Sequence, residues 1–262
     1  MNPHFLFPAS PLNGRMIDEA FQDQAIALKQ AGFNTSVMDV DGGRIRPAVE
    51  PGAVCVYRGW MMNIREYLDY ETAVVANQAT PITATNQYVT AHWLPNWYPI
   101  LSRWTPQTEV FPLESASIAN LTDACKQLGW AKFQIKDYVK SLKTAGGSVA
   151  IEPGQVPEIV ANMEKYRGTI EGGICVRQWE EFFPHSETRY FVINGRYFGQ
   201  DIAFDTRAMR ILDAIKERIP SPFWSVDIAQ RRDGEFRIVE IGDGQVSDLV
   251  GWSPQRFAEV WK

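Results

Sequence analysis

Residues 223–250, FWSVDIAQRRDGEFRIVEIGDGQVSDLV, decide the prediction of the fold. Residues 225–229, SVDIA, alternate polar and apolar side chains, which predicts a strand with Asp227 on its open face. Residues 231–234, RRDG, are typical of a hairpin turn. Residues 235–241, EFRIVEI, predict the returning strand and carry Glu240 near its end. A hairpin of this kind sets two carboxylates side by side.

Carboxylates in this arrangement indicate a site for a hard cation. Asp227 and Glu240 supply oxygen donors, and Asp243 follows in the sequence Gly-Asp-Gly-Gln. Mg²⁺ prefers a few carboxylates together with substrate phosphates. The alternative interpretation is a pair of exposed acids on an ordinary hairpin.

The order of strand-borne Asp, turn and strand-borne Glu resembles the metal-binding end of the ATP-grasp fold. Most ATP-grasp enzymes end the second strand with Glu-x-Asn, whereas this chain has Glu240-Ile241-Gly242. Asp243 or Gln245 must therefore replace the missing Asn. The form VEIGDGQVSDL is similar to the ATP-grasp clade that is named for two arginines and one lysine.

This resemblance covers residues 81–262 and implies an α+β ATP-grasp fold of two lobes. A small α/β, Rossmann-like pre-ATP-grasp domain is expected before it. The implied domain limits are 1–84 for the pre-ATP-grasp domain, 85–175 for the N-terminal lobe, and 176–262 for the C-terminal lobe with its metal site.

Composition limits the class of protein. The chain has 262 residues, 45% hydrophobic and 22% charged, which is ordinary for a globular protein. A net charge of -5 argues against unspecific nucleic-acid binding, which needs a basic face. No stretch approaches the ~18 apolar residues of a membrane helix, and no secretory signal is recognisable, so a cytoplasmic protein is expected. Three scattered cysteines with no CxxC offer no zinc site and fit a reducing compartment.

The first 80 residues predict an α/β layer. Residues 53–57, AVCVY, are typical of a buried parallel strand. A helix over 63–69 and a strand over 72–75 are expected to follow. Arg58 comes just after a strand end, where open α/β sheets bind ligands. The resemblance implies that this domain helps to bind the acceptor substrate, which makes Arg58 the candidate for that contact. The alternative for Arg58 is a surface arginine.

Residues 133–148 indicate a phosphate site. A strand over 133–136 ends in Lys136, and a second strand is expected after the glycines. Glycines let backbone N–H groups approach phosphate oxygens, while a lysine adds point charge. The resemblance implies that Lys136 binds the ATP phosphates, with Lys143 as a weaker candidate, and that a loop folds over the triphosphate through Gly146, Gly147 and Ser148. The alternative is a flexible hairpin with solvated lysines.

Residues 173–183, GICVRQWEEFF, predict a buried strand that runs into a hinge. The resemblance implies that the adenine pocket lies here and that an acid binds the ribose hydroxyls. Glu180 and Glu181 are both candidates for this acid, while Gln178 and Trp179 are candidates for the pocket itself.

Residues 187–200 predict a hairpin of two strands around the turn Asn194-Gly195. The family pattern Glu-x-Arg falls on Arg189, which the resemblance implies will meet the transferred phosphoryl group. Arg177 and Arg189, with Lys136, would then be the two arginines and one lysine of the clade. Arginine suits this role because its planar fork binds phosphate oxygens bidentately. The alternative is two strand-surface arginines in salt bridges.

The implied activity is that of an ATP-dependent carboxylate-amine ligase, which forms an amide or peptide bond through an acyl phosphate. ATP and Mg²⁺ are the expected cofactors. The expected substrates are small-molecule or peptide carboxylates and amines, with no nucleic acid or membrane as partner; a homodimer is left open. The alternatives are an ATP-grasp phosphotransferase and a non-catalytic nucleotide-binding module.

Overall fold

The computed structural model describes residues 2–39, 43–139, 149–167, 170–201 and 205–262. The chain divides into two compact units. Unit 1 comprises Met1–Ala91, Thr188–Asp227 and Glu240–Lys262, and unit 2 comprises His92–Glu187 and Ile228–Val239. The domain limits 1–84, 85–175 and 176–262 stay a prediction.

The N-terminal part of unit 1 is built on a six-stranded mixed sheet. Its strands are β1 (His4–Ser10), β2 (Asn13–Ile17), β3 (Thr35–Asp39), β4 (Arg44–Arg46), β5 (Val54–Tyr57) and β6 (Thr80–Pro81). The order is β4-β3-β1-β5-β6, with β2 paired to β1. β1 pairs in parallel with both β3 and β5, as the apolar runs predict for strands covered on both faces.

Two helices accompany this sheet, α1 (Gln22–Gln30) and α2 (Ile64–Ala76). Asn63 begins α2 with a capping box, because its side chain accepts from the Glu66 N–H and Glu66 accepts from the Asn63 N–H. The strand predicted over 72–75 is wrong, since α2 continues through these residues. The apolar face that begins at Tyr67 and Tyr70 continues to Val74, and burial of this face keeps the segment helical.

Unit 2 contains a four-stranded antiparallel sheet packed with helices. Helix α3 (Thr85–His92) belongs to unit 1 except for its last residue. The elements of unit 2 that follow are α4 (Leu94–Leu101), β7 (Thr108–Pro112), α5 (Ile118–Leu128), β8 (Phe133–Asp137), β9 (Val149–Ala150), α6 (Val156–Arg167) and β10 (Gly173–Gln178). The strand order is β7-β10-β8-β9. Gly129 ends α5 in the left-handed conformation, with φ of 63°, which glycine adopts without a steric penalty.

The C-terminal elements are β11 (Thr188–Ile193), β12 (Arg196–Gly199), α7 (Thr206–Ile215), β13 (Phe223–Gln230), β14 (Phe236–Asp243) and α8 (Pro254–Glu259). The four strands form one sheet in the order β12-β11-β13-β14. β11 and β12 are an antiparallel hairpin, and Asn194 and Gly195 both have positive φ at its turn, as the Asn-Gly pair predicts. The predicted strands around Asp227 and Glu240 are both confirmed.

Each unit has its own apolar core. Among the described residues of unit 1, one cluster lies around Phe5, Phe191 and Phe257 and another around Tyr67 and Val74. In unit 2 a cluster of described residues includes Phe133 and Val176. No helix in the described parts of the chain is long and apolar enough to cross a membrane.

Candidate active site

Arg189 and Asp227 form a two-bond ion pair in unit 1. Arg189 Nε donates to Asp227 Oδ1 at 2.7 Å, and Nη2 donates to Oδ2 at 2.6 Å. The two side chains are only 13% and 7% exposed. Arg189 lies near the start of β11 and Asp227 lies within the adjacent strand β13, so the sheet order brings them together. Two parallel, charge-assisted bonds fix the guanidinium plane relative to the carboxylate.

Further acids surround Arg189. Burial alone would lower the pKa of Arg189, but the hydrogen bond and charge of Asp227, with the charges of Glu240 and Asp248, raise it overall. The backbone carbonyl of Asp248 accepts from Arg189 Nη1 at 2.9 Å. The arginine is therefore held as a permanent cation close to the carboxylates that the hairpin was expected to supply.

These carboxylates have the donor chemistry that Mg²⁺ requires. The charges of Asp227 and of the half-buried Glu240 both raise the pKa of Arg189, so both carboxylates lie near the same guanidinium in unit 1. Mg²⁺ commonly takes one or two protein carboxylates and completes its shell with water and phosphate. Among the described residues no group of three or more His, Cys, Asp or Glu side chains is arranged to hold a metal. The fit is therefore that of a two-carboxylate site, and metal binding by Asp227, Glu240 and Asp243 stays a prediction.

Asp243 differs from the other two acids because it is completely buried. Its Oδ1 accepts from the Gln245 N–H at 2.9 Å and from Gln245 Nε2 at 3.3 Å. Its Oδ2 is buried and has no hydrogen-bond partner in the part of the chain that the structure describes. Burial raises the pKa of Asp243 to about 7, although its bonds to Gln245 and the charge of Arg58 oppose the rise.

Arg58 is also buried, contrary to the surface alternative. Its Nε and Nη2 donate to Gln24 Oε1 at 3.2 and 3.0 Å, and Nη2 also donates to the Ser247 carbonyl at 2.9 Å. Its Nη1 donates to the Gly244 carbonyl, and its guanidinium lies 4.6 Å from the ring centre of Phe257. Burial lowers the pKa of Arg58 to about 9. Substrate binding by Arg58 stays a prediction, and these contacts favour a role in holding the segment after β14.

Lys136 and Arg177 are neighbours on one face of the unit 2 sheet. Lys136 lies directly opposite Cys175 in the antiparallel pairing of β8 with β10, and Arg177 follows two residues later on the same face. Both side chains are buried. Their positive charges oppose the effect of burial, which raises the pKa of the Cys175 thiol to about 12.

The hydrogen bonds described for the Arg177 side chain are with other residues of unit 2. Its Nη1 donates to the Val239 carbonyl at 2.6 Å, and its Nη2 donates to the Thr105 hydroxyl and, at 3.4 Å, to the Ile238 carbonyl. The guanidinium therefore links β10 to the first half of β14. Its assignment as the second arginine of the clade stays a prediction.

The two acids in the hinge after β10, both candidates for binding the ribose, differ in exposure and in partners. The Glu180 side chain is 9% exposed and is bound by Arg231 at 3.3 Å and by Arg237 at 3.1 Å. The Glu181 side chain is 64% exposed, with Lys132 at 3.4 Å. Glu181 is thus the more exposed acid, while the carboxylate of Glu180 is ion-paired with two arginines.

The other two candidates in the hinge are Gln178 and Trp179, whose backbone N–H groups are hydrogen-bonded within unit 2. The Gln178 N–H donates to the Gln107 carbonyl at 2.8 Å, and the Trp179 N–H donates to the Lys132 carbonyl at 3.2 Å. The Trp179 side chain is 38% exposed, which leaves an aromatic face at the surface of unit 2. The remaining candidates for phosphate binding, Lys143, Gly146, Gly147 and Ser148, lie outside the described residues.

Two residues that hold the candidate site residues in place were not predicted from the sequence. Arg237 holds Glu180 and also donates to the carbonyls of Arg103 and Thr105 at 2.9 and 2.7 Å. Tyr67 binds Gln245 Nε2 through its hydroxyl at 2.6 Å. Arg237 stands in the quoted hairpin, so its position on a strand was readable, whereas no local signal connects Tyr67 to Gln245.

A family model matches most of this region. The model describes an ATP-grasp domain of family 3 in the clade named for two arginines and one lysine, and it matches residues 106–260, which is more than half of the chain. The matched range includes Lys136, Arg177, Arg189, Asp227 and Glu240. No curated protein sequence matches the chain significantly.

Solved structures of similar fold cover nearly the whole chain. The D-cycloserine synthetase DcsG is 14% identical with a TM-score of 0.66, over 99% of this chain and 100% of its own. A RimK domain ATP-grasp protein from Sphaerobacter thermophilus DSM 20745 is 14% identical with a TM-score of 0.64, over 98% of both chains. The macrocyclase MdnC from Microcystis aeruginosa MRC, bound with precursor peptide MdnA, is 11% identical with a TM-score of 0.63, over 98% of this chain and 99% of its own. At these identities the likeness shows the fold.

Proposed function

The chain belongs to family 3 of the ATP-grasp clade named for two arginines and one lysine, and from that membership we propose that it is an ATP-dependent carboxylate-amine ligase. In the proposed reaction a carboxylate oxygen attacks the γ-phosphorus of ATP and ADP leaves. An amine then attacks the acyl carbon, and inorganic phosphate leaves with the oxygen that the carboxylate contributed. The product is an amide.

The observation that carries this proposal is the position of Arg189 among acids in unit 1. A phosphoryl group in transfer carries charge on its peripheral oxygens, and catalysis is mostly positioning and charge neutralisation. Arg189 is a fixed cation bonded to Asp227 and acted on by Glu240. We assign Arg189 to the transferred group and Asp227 and Glu240 to the metal.

Mg²⁺, when bound, would neutralise charge on the phosphates and orient them. Asp227 and Glu240 are the proposed protein ligands, and Asp243 is a third candidate through its Oδ2, which has no hydrogen-bond partner among the described residues. In unit 2, Lys136 is proposed to bind the phosphates in the ground state. Arg177 is proposed to add positive charge beside Lys136 on the same sheet face.

The nucleotide base and ribose are assigned to the hinge after β10. Glu181 is proposed to bind the ribose hydroxyls, since its carboxylate is exposed while that of Glu180 is held by Arg231 and Arg237. Trp179 and the backbone of Gln178 are proposed to line the adenine pocket. Residues 1–84 are proposed as the pre-ATP-grasp domain, whose β1, β3 and β5 run parallel.

A substrate screen tests the proposed activity. The similar structures include a synthetase of D-cycloserine and a macrocyclase bound to a precursor peptide. Amino acids and short peptides are therefore offered as carboxylate and amine with Mg·ATP, and ADP, phosphate and amide are measured. We expect all three products in equal amounts. A phosphorylated acceptor without phosphate release would instead identify a phosphotransferase, and bound nucleotide with no turnover a non-catalytic module.

A further inference from the structure

Gln245 uses its whole carboxamide for contacts inside unit 1. Its Oε1 accepts from the Tyr57 N–H at 3.0 Å and from the Tyr70 hydroxyl at 3.4 Å. Its Nε2 donates to the Tyr67 hydroxyl at 2.6 Å and to Asp243 Oδ1 at 3.3 Å. An amide offers two acceptor lone pairs and two donor hydrogens, so all four are occupied. The buried side chain has no oxygen lone pair left for a metal ion.

The aromatic partners of Gln245 form a packed group of their own, the tyrosine cluster of Tyr57, Tyr67, Tyr70 and Tyr88. Tyr67 stacks on Tyr88 with ring centres 3.9 Å apart, and it meets Tyr70 edge-on at 5.2 Å. Burial raises the pKa of Tyr67 well above its ordinary value, with the charge of Asp243 as the next cause. Tyr67 therefore stays a neutral, rigidly placed hydrogen-bond partner.

The segment that follows β14 is tied to the end of β5 at three successive residues. Tyr57 binds the Gln245 side chain through its N–H, and the Gly59 N–H donates to the Gln245 carbonyl at 3.2 Å. Between them, Arg58 donates to the carbonyls of Gly244 and Ser247. Residues 243–247 are thus held by backbone and side chain together. Within this segment the Gln245 side chain reaches the tyrosine cluster, where its Oε1 and its Nε2 both form hydrogen bonds.

Gly242 stands at the position that carries Asn in most ATP-grasp chains, and a side chain there would crowd two serine hydroxyls. A Cβ built on Gly242 would lie 2.9 Å from Ser247 Oγ and 3.2 Å from Ser225 Oγ. These hydroxyls bond to each other at 2.7 Å, and Ser247 Oγ also donates to the Asp243 carbonyl at 2.7 Å. A side chain at position 242 would therefore disturb this bonded pair of hydroxyls.

We propose that Gln245 is a positioning residue for the metal strand and not a metal ligand. Its carboxamide fastens the segment after Glu240 to the tyrosine cluster and so fixes the end of β14 from which Glu240 projects. This inference rests on the proposed function, because it assigns Gln245 to the same metal site. Partners that orient metal ligands typically change metal affinity by about 10- to 100-fold when they are removed.

A double-mutant cycle with Mn²⁺ as the probe tests this inference. The variants are Gln245→Met, which keeps the length of the side chain and loses its bonds, Tyr67→Phe, which removes only one hydroxyl partner, and the double variant. Mn²⁺ affinity is measured by electron paramagnetic resonance in the presence of ATP, and folding is checked by urea unfolding. We expect about tenfold weaker Mn²⁺ binding for Gln245→Met, a smaller loss for Tyr67→Phe, and no further loss in the double variant.

Gln245→Glu separates positioning from ligation. A carboxylate is a better ligand for Mn²⁺ than an amide, so tighter binding by Gln245→Glu would overturn the proposal. We expect weaker binding, since a second acid beside Asp243 disturbs the cluster. Unchanged Mn²⁺ affinity in Gln245→Met, or a loss that Tyr67→Phe leaves fully additive, would also overturn it. Wild-type protein that binds neither Mn²⁺ nor ATP would instead refute the proposed function, and the positioning role with it.

Discussion

The guanidinium of Arg189 lies against the carboxylate of Asp227, with nitrogen-to-oxygen distances of 2.7 and 2.6 Å. This pair joins the residue assigned to the transferred phosphoryl group with a residue assigned to the metal. Because both are largely buried, neither charge is well hydrated. The charge state of each residue therefore depends on the other, and both enter the mechanism as a unit.

The pair should stabilise unit 1 as a coupled interaction. Removing one partner leaves an unpaired charge in a largely buried place, so Arg189→Ala is expected to lower the free energy of unfolding by about 3 kcal/mol. Asp227→Asn should also destabilise, and the double variant should lose less than the sum of the two. Urea unfolding measures all three. Arg65→Ala is the matched control, because its pair with Asp69 is exposed and should contribute little. Additive losses would show that the pair is not coupled.

Lys136 and Arg189 should affect different steps. Lys136→Ala is expected to weaken ATP binding, since the lysine acts on phosphates in the ground state. Arg189→Ala is expected to lower kcat by about a hundredfold, or ~3 kcal/mol, with a smaller effect on ATP affinity. Calorimetry and single-turnover ADP formation separate the two effects. Lys126→Ala serves as the control lysine, because Lys126 is 62% exposed and pairs with the exposed Asp123. Normal turnover by Arg189→Ala would contradict its assigned role.

The hinge acids should separate into a structural and a binding residue. Glu180→Gln breaks the ion pairs to Arg231 and Arg237 and should lower the melting temperature. Glu181→Gln should leave the melting temperature near that of the wild type and weaken ATP binding. Binding of 2′-deoxy-ATP should be weakened less by Glu181→Gln, since the ribose contact is already reduced. If Glu181→Gln binds ATP normally, the ribose is held elsewhere.

Asp243 should make stability depend on pH near neutrality. Its folded pKa of about 7 lies above the ordinary 3.8, so the folded protein favours the protonated acid. The stability that Asp243 adds to the folded protein is therefore fully present below pH 3.8 and is lost as pH rises towards 7. Relative to Asp243→Asn, the wild type should lose up to about 1.4 kcal/mol per pH unit across this range. Urea unfolding of both proteins in the absence of metal measures the difference. A constant difference across this range would contradict the prediction.

Much of the local structure was predictable because its signals are local. The Asn-Gly turn at 194–195, the glycine end of α5 and the strands around Asp227 and Glu240 follow from turn chemistry and alternation. The strand predicted over 72–75 failed because Val74 and Val75 are β-branched, which favours strands locally. The buried face of α2 outweighed that preference, since it continues the spacing of Tyr67 and Tyr70.

The site was less predictable because its contacts join distant parts of the chain. Gln245 was one of two candidates for the missing Asn, and nothing near it in sequence indicates that Tyr67, 178 residues earlier, occupies its amide nitrogen. Arg58 was predicted to bind substrate, with a surface arginine as the alternative, yet its guanidinium donates to carbonyls 186 and 189 residues away. Glu180 and Glu181 are adjacent in sequence, and only their packing separates a residue held by arginines from an exposed acid.

If a carboxylate is activated as an acyl phosphate, one of its oxygens must pass to the released phosphate. The carboxylate substrate identified by the screen is labelled with ¹⁸O in both oxygens and incubated with Mg·ATP, the amine and wild-type protein. Mass spectrometry of the released phosphate then counts the label. We expect one ¹⁸O in each phosphate and one in each amide, because the carboxylate oxygen that attacks the γ-phosphorus leaves with it. Amide formation with unlabelled phosphate would rule out an acyl phosphate.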